Sequence, residues 1–358
     1  MFNREHVMAM KPYVDVTVLH FMTDYDRKGL RLDMRSFEDE GVLTYEITTG
    51  LSPIPKTSIF SWSYNLYRAI KMVIAEIGRP EILHAQDDNS WVVGRYARKH
   101  GIPYVISQHW TKILKGNLKW YEKELFKKSF KHACAVLPAQ QNSKEAYKKF
   151  GLEANVIWLP NTYNPDVFYV GEVVRENILV HVSGMTPQKR VYDIVRAFGK
   201  MEKRYPDAKL ILVGDGPNKK DIVTFVRENG LQDKIIFTGF LPKSEVARWM
   251  QKAKGFVFPS SYETFGCVLM EAMACGTPVL TTRVGGIPGV VPDEAHGILV
   301  EVGDIRAIAE GKASMLEDKH QLDTLKIAEE MKERFSMSAV GRRIAEIYHQ
   351  CLNGSSGK

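Results

Sequence analysis

The sequence predicts an α/β protein built from two doubly wound parallel-sheet domains. Three observations carry that expectation. Short β-branched apolar runs alternate with longer amphipathic ones along the chain, the pattern of a parallel sheet wrapped by helices. A length of 358 residues leaves room for two cores of ordinary size. Between the two alternating series lies WLPNTYNPDVFY (Trp158–Tyr169), whose prolines and asparagines are how a hinge is usually written.

Taken in order, the chain opens on FNREHVMAMKPY, which reads as helix. A doubly wound domain ordinarily opens on a buried strand and a Gly-containing turn, so that strand and loop are expected to lie upstream of Met1. Strands follow at Val14–Phe21, Glu81–Gln86, Pro103–His109 and Ala133–Ala139, with helices through Tyr64–Ile77 and Trp91–His100. From Lys115 to His132, Lys alternates with Leu, Trp, Tyr and Phe. As a helix, this segment puts Leu118, Tyr121, Glu122 and Leu125 on one side and Lys119, Lys123 and Lys127 on another. Such a helix suits either an anionic membrane or a core with a solvated basic side. Beyond the seam, strands NILVHVSG, KLILVGDG, KIIFTGF, GFVFPSS and TPVLTT alternate with helices at Val191–Arg204, Asp221–Asn229 and Lys243–Lys252. A final helix contains SAVGRRIAEIYHQC, and the polar tail NGSSGK is expected to be disordered. The expected domains are residues 1–163 and 164–335, with 336–358 a terminal helix and tail.

An apolar fraction of 44% and a charged fraction of 25% are those of a soluble globular protein. No apolar run approaches the roughly 18 to 20 residues that cross a bilayer. The first twenty residues mix His, Lys and Asp into apolar positions, unlike a signal peptide. Cys134, Cys267, Cys275 and Cys351 form no C-x-x-C pair and read as reduced cytosolic residues. The net charge of +7 is uneven: residues 1–165 hold 23 Lys/Arg against 17 Asp/Glu, and residues 166–358 hold 26 against 25. The first half is therefore expected to face something anionic, such as phospholipid or polyprenyl phosphate, or else to carry an ordinary solvated surface. No nucleic-acid module is recognisable.

The chemistry concentrates in PSSYETFGCVLMEAMACGTPVL (Pro259–Leu280), where Glu263 and Glu271 stand eight positions apart. A strand exits at Pro-Ser-Ser, TFGCVLMEAMACG has helical periodicity, and Phe265 and Gly266 lie at the helix start. In an open α/β sheet, ligands bind at the carboxyl ends of strands. The first amides of the helix have no internal partner and sit at the positive end of its dipole, so an anion is welcome there. Gly266 permits close approach. Glu271 lies about 7.5 Å further along the axis, at ~1.5 Å per residue, where a carboxylate can grip a ribose diol. Glu263 then meets whatever hangs from the diphosphate, with a sugar the natural candidate. A second strand-turn-helix, SGMTPQKRVYDIVRAF (Ser183–Phe198), offers Lys189 to the diphosphate, with Arg190 expected to be solvated. In the first half, His109 ends the strand of PYVISQHW and is a candidate for the opposite side of the site. His84 in LHAQDD is a second candidate of the same kind.

ETFGCVLME, the downstream GTPVLTTRVGGIP, the SG-x4-KR turn, LVGDGP, FTGFLP and LPNTYNPDVF stand in one order and spacing. By these motifs the chain resembles family 4 retaining glycosyltransferases of the GT-B fold, over nearly its whole length and most strongly from Val156 to Val300. The resemblance implies two Rossmann-like domains facing a central cleft. It implies a nucleotide-diphosphate sugar as donor, no metal or other cofactor, and retention of configuration through a front-face route. The acceptor it implies is a saccharide or a polyprenyl-linked one, in cell-surface polysaccharide synthesis. The implied location is the cytoplasm, with the inner face of the plasma membrane as an alternative. By the same resemblance, Glu263 holds the transferred sugar and Glu271 the ribose. Lys189, the Gly184 turn and the backbone of Thr264, Phe265, Gly266, Cys267 and Val268 hold the diphosphate. Main-chain atoms at Phe240 and Leu241 face the base, and His109 stands near sugar and acceptor. His109, Lys189 and Glu263 are thus the expected catalytic residues. The chain departs from the pattern at Met185, where many relatives have Arg, and at Gly289, where an acid is usual. Two other readings are a GT-B sugar-nucleotide epimerase and a catalytically inactive nucleotide-sugar-binding subunit.

Overall fold

The computed structural model describes residues 2–51, 58–109, 111–114 and 116–355. It divides into two compact units, Met1–Leu159 with Val340–Lys358, and Pro160–Ala339. The boundary falls inside the proline-rich seam.

In the first unit, α1 (Phe2–Met10) leads into β1 (Thr17–Lys28), β2 (Leu32–Asp39), β3 (Val42–Leu51) and α2 (Ser58–Ile77). Then come β4 (Leu83–Gln86), α3 (Ser90–His100), β5 (Tyr104–Gln108), α4 (Thr111–Leu114), α5 (Trp120–His132), β6 (Ala135–Pro138) and α6 (Ser143–Lys149). Strands β4, β5 and β6 form a parallel sheet in that order. Alternation puts Ala85, Ile106 and Val136 on one face, in a core with Leu66 of α2, Tyr96 of α3 and Phe126 of α5. Val105, Ala135 and Leu137 occupy the other face, against Met10 of α1.

A second sheet of the same unit, in the order β1-β3-β2, corrects the sequence expectation. Strand β1 is parallel to β3 and begins three residues later than expected, while β2 is antiparallel to β3. Strand β2 escapes a search for apolar runs because charges interleave it, whereas β3 carries one charge, Glu46. The charges pair across the strands, as Arg35 does with Glu46 opposite it at 2.7 Å. The connecting Glu40-Gly41 turn has φ of 47° and 76°, the two left-handed residues that a type I′ hairpin needs.

The second unit runs β7 (Glu176–Val182), α7 (Val191–Met201), β8 (Lys209–Val213), α8 (Lys219–Glu228), β9 (Ile235–Gly239), α9 (Lys243–Lys252) and β10 (Ala253–Phe258). It continues with α10 (Cys267–Ala274), β11 (Val279–Thr282), β12 (Ile298–Val300), α11 (Ile305–Leu316) and α12 (Thr324–Phe335). All six strands are parallel, in the order β9-β8-β7-β10-β11-β12. The chain winds outward from β7 to β9, returns through α9, and winds the other way from β10. This is the strand order of a dinucleotide-binding sheet, and it leaves a crevice between the exits of β7 and β10.

Helix α13 (Met337–Ser355) closes the described chain. Its Ile344 and Tyr348 pack in the first unit's core with Val105 and Leu137. It carries through Asn353 and Gly354, so half of the tail expected to be disordered is helical, and residues 356–358 lie outside the described residues. Among the described residues, no helix is long and apolar enough to cross a membrane.

One charge lies wholly inside the second core. Lys312 of α11 is fully buried; its Nζ donates to the Ile194 carbonyl at 2.6 Å and lies 5.5 Å from the Phe198 ring centroid. Burial lowers the ammonium well below its ordinary value. The unfolded chain takes up this proton below about pH 10.4, while the folded chain resists it, so stability drains away as pH falls from there. Lys312→Met should therefore raise the melting temperature, by more at pH 7 than at pH 9, in thermal unfolding monitored at both.

Candidate active site

Two loops flank the crevice, Ser183–Arg190 after β7 and Pro259–Gly266 after β10. They are stapled at one atom. The Gln188 carbonyl receives the Ser261 N–H at 2.8 Å and lies 3.0 and 3.2 Å from the hydroxyls of Ser260 and Ser261. Beside this staple, Lys189 Nζ makes an ion pair with Glu263 Oε1 and stands 5.0 Å from the Phe258 ring centroid. The two side chains keep 22% and 12% of their exposure, so the pair is shielded but reachable.

Gly266 closes the second loop with φ 89° and caps α10 without a side-chain hydrogen bond. The Phe265 ring is buried edge-on against Phe335 at 5.8 Å, so its side chain serves the core and only its backbone lines the loop. Thr264 and Val268 are half-buried, and Cys267 Sγ accepts from Asn161 Nδ2 at 3.3 Å. Glu271 faces the protein, at 9% exposure, with Lys243 Nζ 3.9 Å away. Lys243 is the first residue of α9, which follows the turn carrying Phe240 and Leu241. The Phe240 ring is 79% exposed. Gly184 is exposed on the first loop. The structure thus gathers Gly184, Lys189 and Glu263 through Gly266 on the two loops, with Cys267, Val268 and Glu271 on α10 and with Phe240 and Leu241 in the turn before α9.

Some expectations need correcting. Arg190 is not simply solvated; it adopts φ 51° as the cap of α7 and pairs at 2.5 Å with Asp193 in that helix's first turn. That carboxylate is the anion offsetting a cation at the positive helix end. Met185 has its side chain fully buried in the core of β7, α7 and β8. On α5 the buried face is Glu122, Phe126, Ser129 and Phe130, whereas Leu118, Tyr121 and Leu125 are half-buried. Glu122 is ion-paired with Lys112 at 2.6 Å. Gly289 lends its carbonyl to Arg334 at 2.9 Å.

Other residues supporting the site were not singled out in the sequence. A Cβ at Gly216, after β8, would overlap the Gly184 carbonyl oxygen, and one at Gly286, after β11, would overlap that of Thr264. Gly286 N–H also donates to Glu263 O at 2.9 Å. Each loop of the crevice is therefore propped by a glycine of the next strand outward. The signal was present in VGDGP and VGGIP, but only the sheet order says what the glycines touch.

In the first unit, His109 follows β5 and its N–H donates to Asp87 Oδ1 at 2.6 Å. Burial holds its imidazole neutral, lowered to about 4, and the His6 ring lies 6.0 Å away. His84 in β4 has both ring nitrogens engaged, by Tyr348 Oη at 2.6 Å and Ser107 Oγ at 2.8 Å, and burial lowers it to about 3. It ties β4 to β5 and α13. Among the described residues, no group of three or more His, Cys, Asp or Glu could hold a metal ion.

Comparison with known proteins follows the two units. Residues 14–167 match the model described as Glycosyltransferase Family 4, and residues 168–335 match Glycosyl transferases group 1. N-acetyl-alpha-D-glucosaminyl L-malate synthase of Bacillus anthracis is 37% identical over 179 residues, 49% of this chain, and the chain covers 46% of that relative's length. A glycosyltransferase of Methanocaldococcus jannaschii is 26% identical over 346 residues, 88% of this chain and 87% of its own. Sucrose-phosphate synthase from Thermosynechococcus elongatus superposes with a TM-score of 0.73 at 22% identity, covering 98% of this chain and 92% of that one. Anabaena HepE in complex with UDP gives 0.70 at 19%, covering 85% and 86%.

Two outcomes test this geometry. Gly286 has an ordinary φ of −90°, so Gly286→Ala adds only a clash with Thr264, expected to cost about 1–3 kcal/mol in denaturant unfolding. With His84 and His109 lowered below the usual 6.5, their contribution is complete above pH 6.5 and is lost as pH falls through about 4 and about 3. Stability should decline with acidification from pH 6.5, and His84→Asn should flatten that slope by about one proton.

Proposed function

We infer the reaction from one premise: the chain belongs to glycosyltransferase family 4 and is a transferase of the GT-B fold. It moves a sugar from a nucleoside-diphosphate sugar to an acceptor hydroxyl. The observation carrying this reading is the Lys189–Glu263 pair beside the glycine-capped start of α10. The cation and the acid satisfy each other. A donor offers phosphate to Lys189 and sugar hydroxyls to Glu263, replacing one contact by two charge-assisted ones.

On this reading the pyrophosphate lies on the amides of Gly266 to Val268, reached also by Lys189, with the ribose on Glu271 and the base beside Phe240 and Leu241. As the C1–O bond breaks, charge gathers on the leaving phosphate, and preorganised amides with Lys189 stabilise it. That phosphate takes the acceptor proton in a front-face transfer with retention and without a metal. His109, held neutral, orients the acceptor hydroxyl.

The name of the Bacillus relative supports an N-acetylglucosaminyl donor and an α linkage, which retention from an α-linked nucleotide sugar would give. The UDP bound to HepE supports uracil as the base. The acceptor is a saccharide or lipid-linked saccharide in polysaccharide assembly. The Lys-rich outer side of α5, with Trp120 exposed beside it, supports peripheral contact with an anionic membrane.

Among UDP-, GDP- and ADP-sugars, UDP-N-acetylglucosamine should give the largest rise in melting temperature. Glu263→Ala and Lys189→Ala should each lower kcat by about 10²–10³-fold, with EDTA leaving the wild-type rate unchanged. Near-normal turnover in both variants would remove the reading, and an inverted anomer in the product's NMR spectrum would remove retention.

A further inference from the structure

We propose that His181 is a positioning residue of the donor site, acting through Ser183 to hold the turn that carries Gly184 and Lys189. The inference rests on the donor-site reading above and concerns a residue that touches no donor atom in it.

His181 lies on β7, fully buried, where β7 adjoins β10. Its Nδ1 is 2.8 Å from the Val257 carbonyl of β10. A carbonyl only accepts, so Nδ1 carries the proton. Burial lowers the imidazole to about 4, so the ring is neutral and Nε2 holds a lone pair. Ser183 Oγ, 2.7 Å from Nε2, must then donate to it. That fixes the serine's proton and leaves its own lone pairs for the Met185 N–H, 3.1 Å away. Every direction in this chain of three hydrogen bonds is determined: Met185 to Ser183, Ser183 to His181, His181 to Val257.

The far end of the chain is where the turn needs holding. Met185 has φ 43°, a left-handed conformation that a side chain disfavours, and Arg190 at the other end has φ 51°. Gly184 and Lys189 lie between, or next to, these two residues. The N–H of Met185 is captured by Ser183, its carbonyl accepts from Asn218 N–H at 3.2 Å, and its side chain is locked in the core. At the near end, the His181 ring stacks on Phe258 at 5.6 Å and 25°, the same ring that Lys189 Nζ approaches to 5.0 Å. His181 therefore touches both walls of the crevice, by a hydrogen bond to β10 and by the serine relay to the turn after β7. An imidazole is a costly way to fill a core unless both nitrogens are used, and here both serve the crevice.

The test separates the two halves of the relay. His181→Gln places an amide near the Nε2 position and can still accept from Ser183; His181→Asn places one near Nδ1 and keeps only the bond to Val257. Affinity for UDP by calorimetry, kcat and KM for UDP-N-acetylglucosamine, and melting temperature would be measured for each, with Ser183→Ala and Ser183→Thr alongside. Ser183→Ala and His181→Asn are expected to weaken UDP binding by about ten-fold, with Ser183→Thr and His181→Gln within about three-fold of wild type. The Gln and Asn variants should melt alike. Should the His181 variants fail to fold, the Ser183 pair decides alone. Equal affinities for Ser183→Ala and wild type, or losses that track melting temperature, would overturn the proposal. A wild-type protein that binds neither UDP nor any nucleotide sugar would overturn the donor-site reading, and this role with it.

Discussion

Strands β7 and β10 are hydrogen-bonded neighbours whose exits must diverge into separate loops, because the winding of the sheet reverses between them. Loops at strand ends are ordinarily the mobile part of an α/β domain. Here they are constrained from three sides. The Gln188 carbonyl and the Lys189–Glu263 pair join them to each other, and Gly216 and Gly286 prop them from the neighbouring strands. Beneath them, His181 and Thr281 bond across to the backbone of β10, Thr281 by its hydroxyl to Phe258 O at 2.9 Å. The placing of cation, acid and helix start follows from this constraint. A bridge across a weakly held gap would contribute little, since exposed ion pairs are worth ~0–1 kcal/mol.

What the sequence disclosed and what it hid divide along chain distance. Glu263, Gly266 and Glu271 were legible because a strand exit and a helix start are local events, and their spacing along one helix is fixed geometry. The alternation of strands and helices was legible for the same reason. The partner of Glu271 was not: Lys243 reaches it only because α9 returns to the side of β10. The meaning of the glycines in VGDGP and VGGIP likewise depended on which strand neighbours which. Arg190 misled because a cation before a helix looks free until Asp193 is seen to turn back on it. Strand β2 was hidden by charges interleaved along it, of which Arg35 pairs across to Glu46 of β3 and so is not a loop signal. Strand β12 has three residues, too few to show a period.

Met185 shows how a departure from a family pattern can be a different solution. A cation at that position would add charge for the diphosphate. The methionine instead sinks its side chain into the core, so the turn gives up electrostatic attraction for a fixed backbone. Preorganisation is the more efficient of the two where the ligand is met by backbone amides, because an amide cannot reorient without moving the turn. On the donor-site reading the burden of charge falls on Lys189, whose surroundings are an aromatic face, a carboxylate, and the staple at the preceding carbonyl.

The carboxyl ends of the two parallel sheets solve the electrostatic problem in opposite ways. At β7 and β10 the charged groups come in pairs, Lys189 with Glu263 and, at the flank, Lys243 with Glu271. Paired charges can be held half-buried without the desolvation cost that an isolated ion would incur. At β4 and β5 the titratable groups are imidazoles, and burial keeps His84 and His109 neutral. The surplus of positive charge in the first half of the sequence therefore does not reach those two histidines. Among the described residues it lies outside, on surfaces such as the lysine side of α5, while Lys112 beneath that helix is neutralised by Glu122. In the second half a nearly balanced sequence concentrates a cation and a helix start at one point, which the net charge of that half does not disclose.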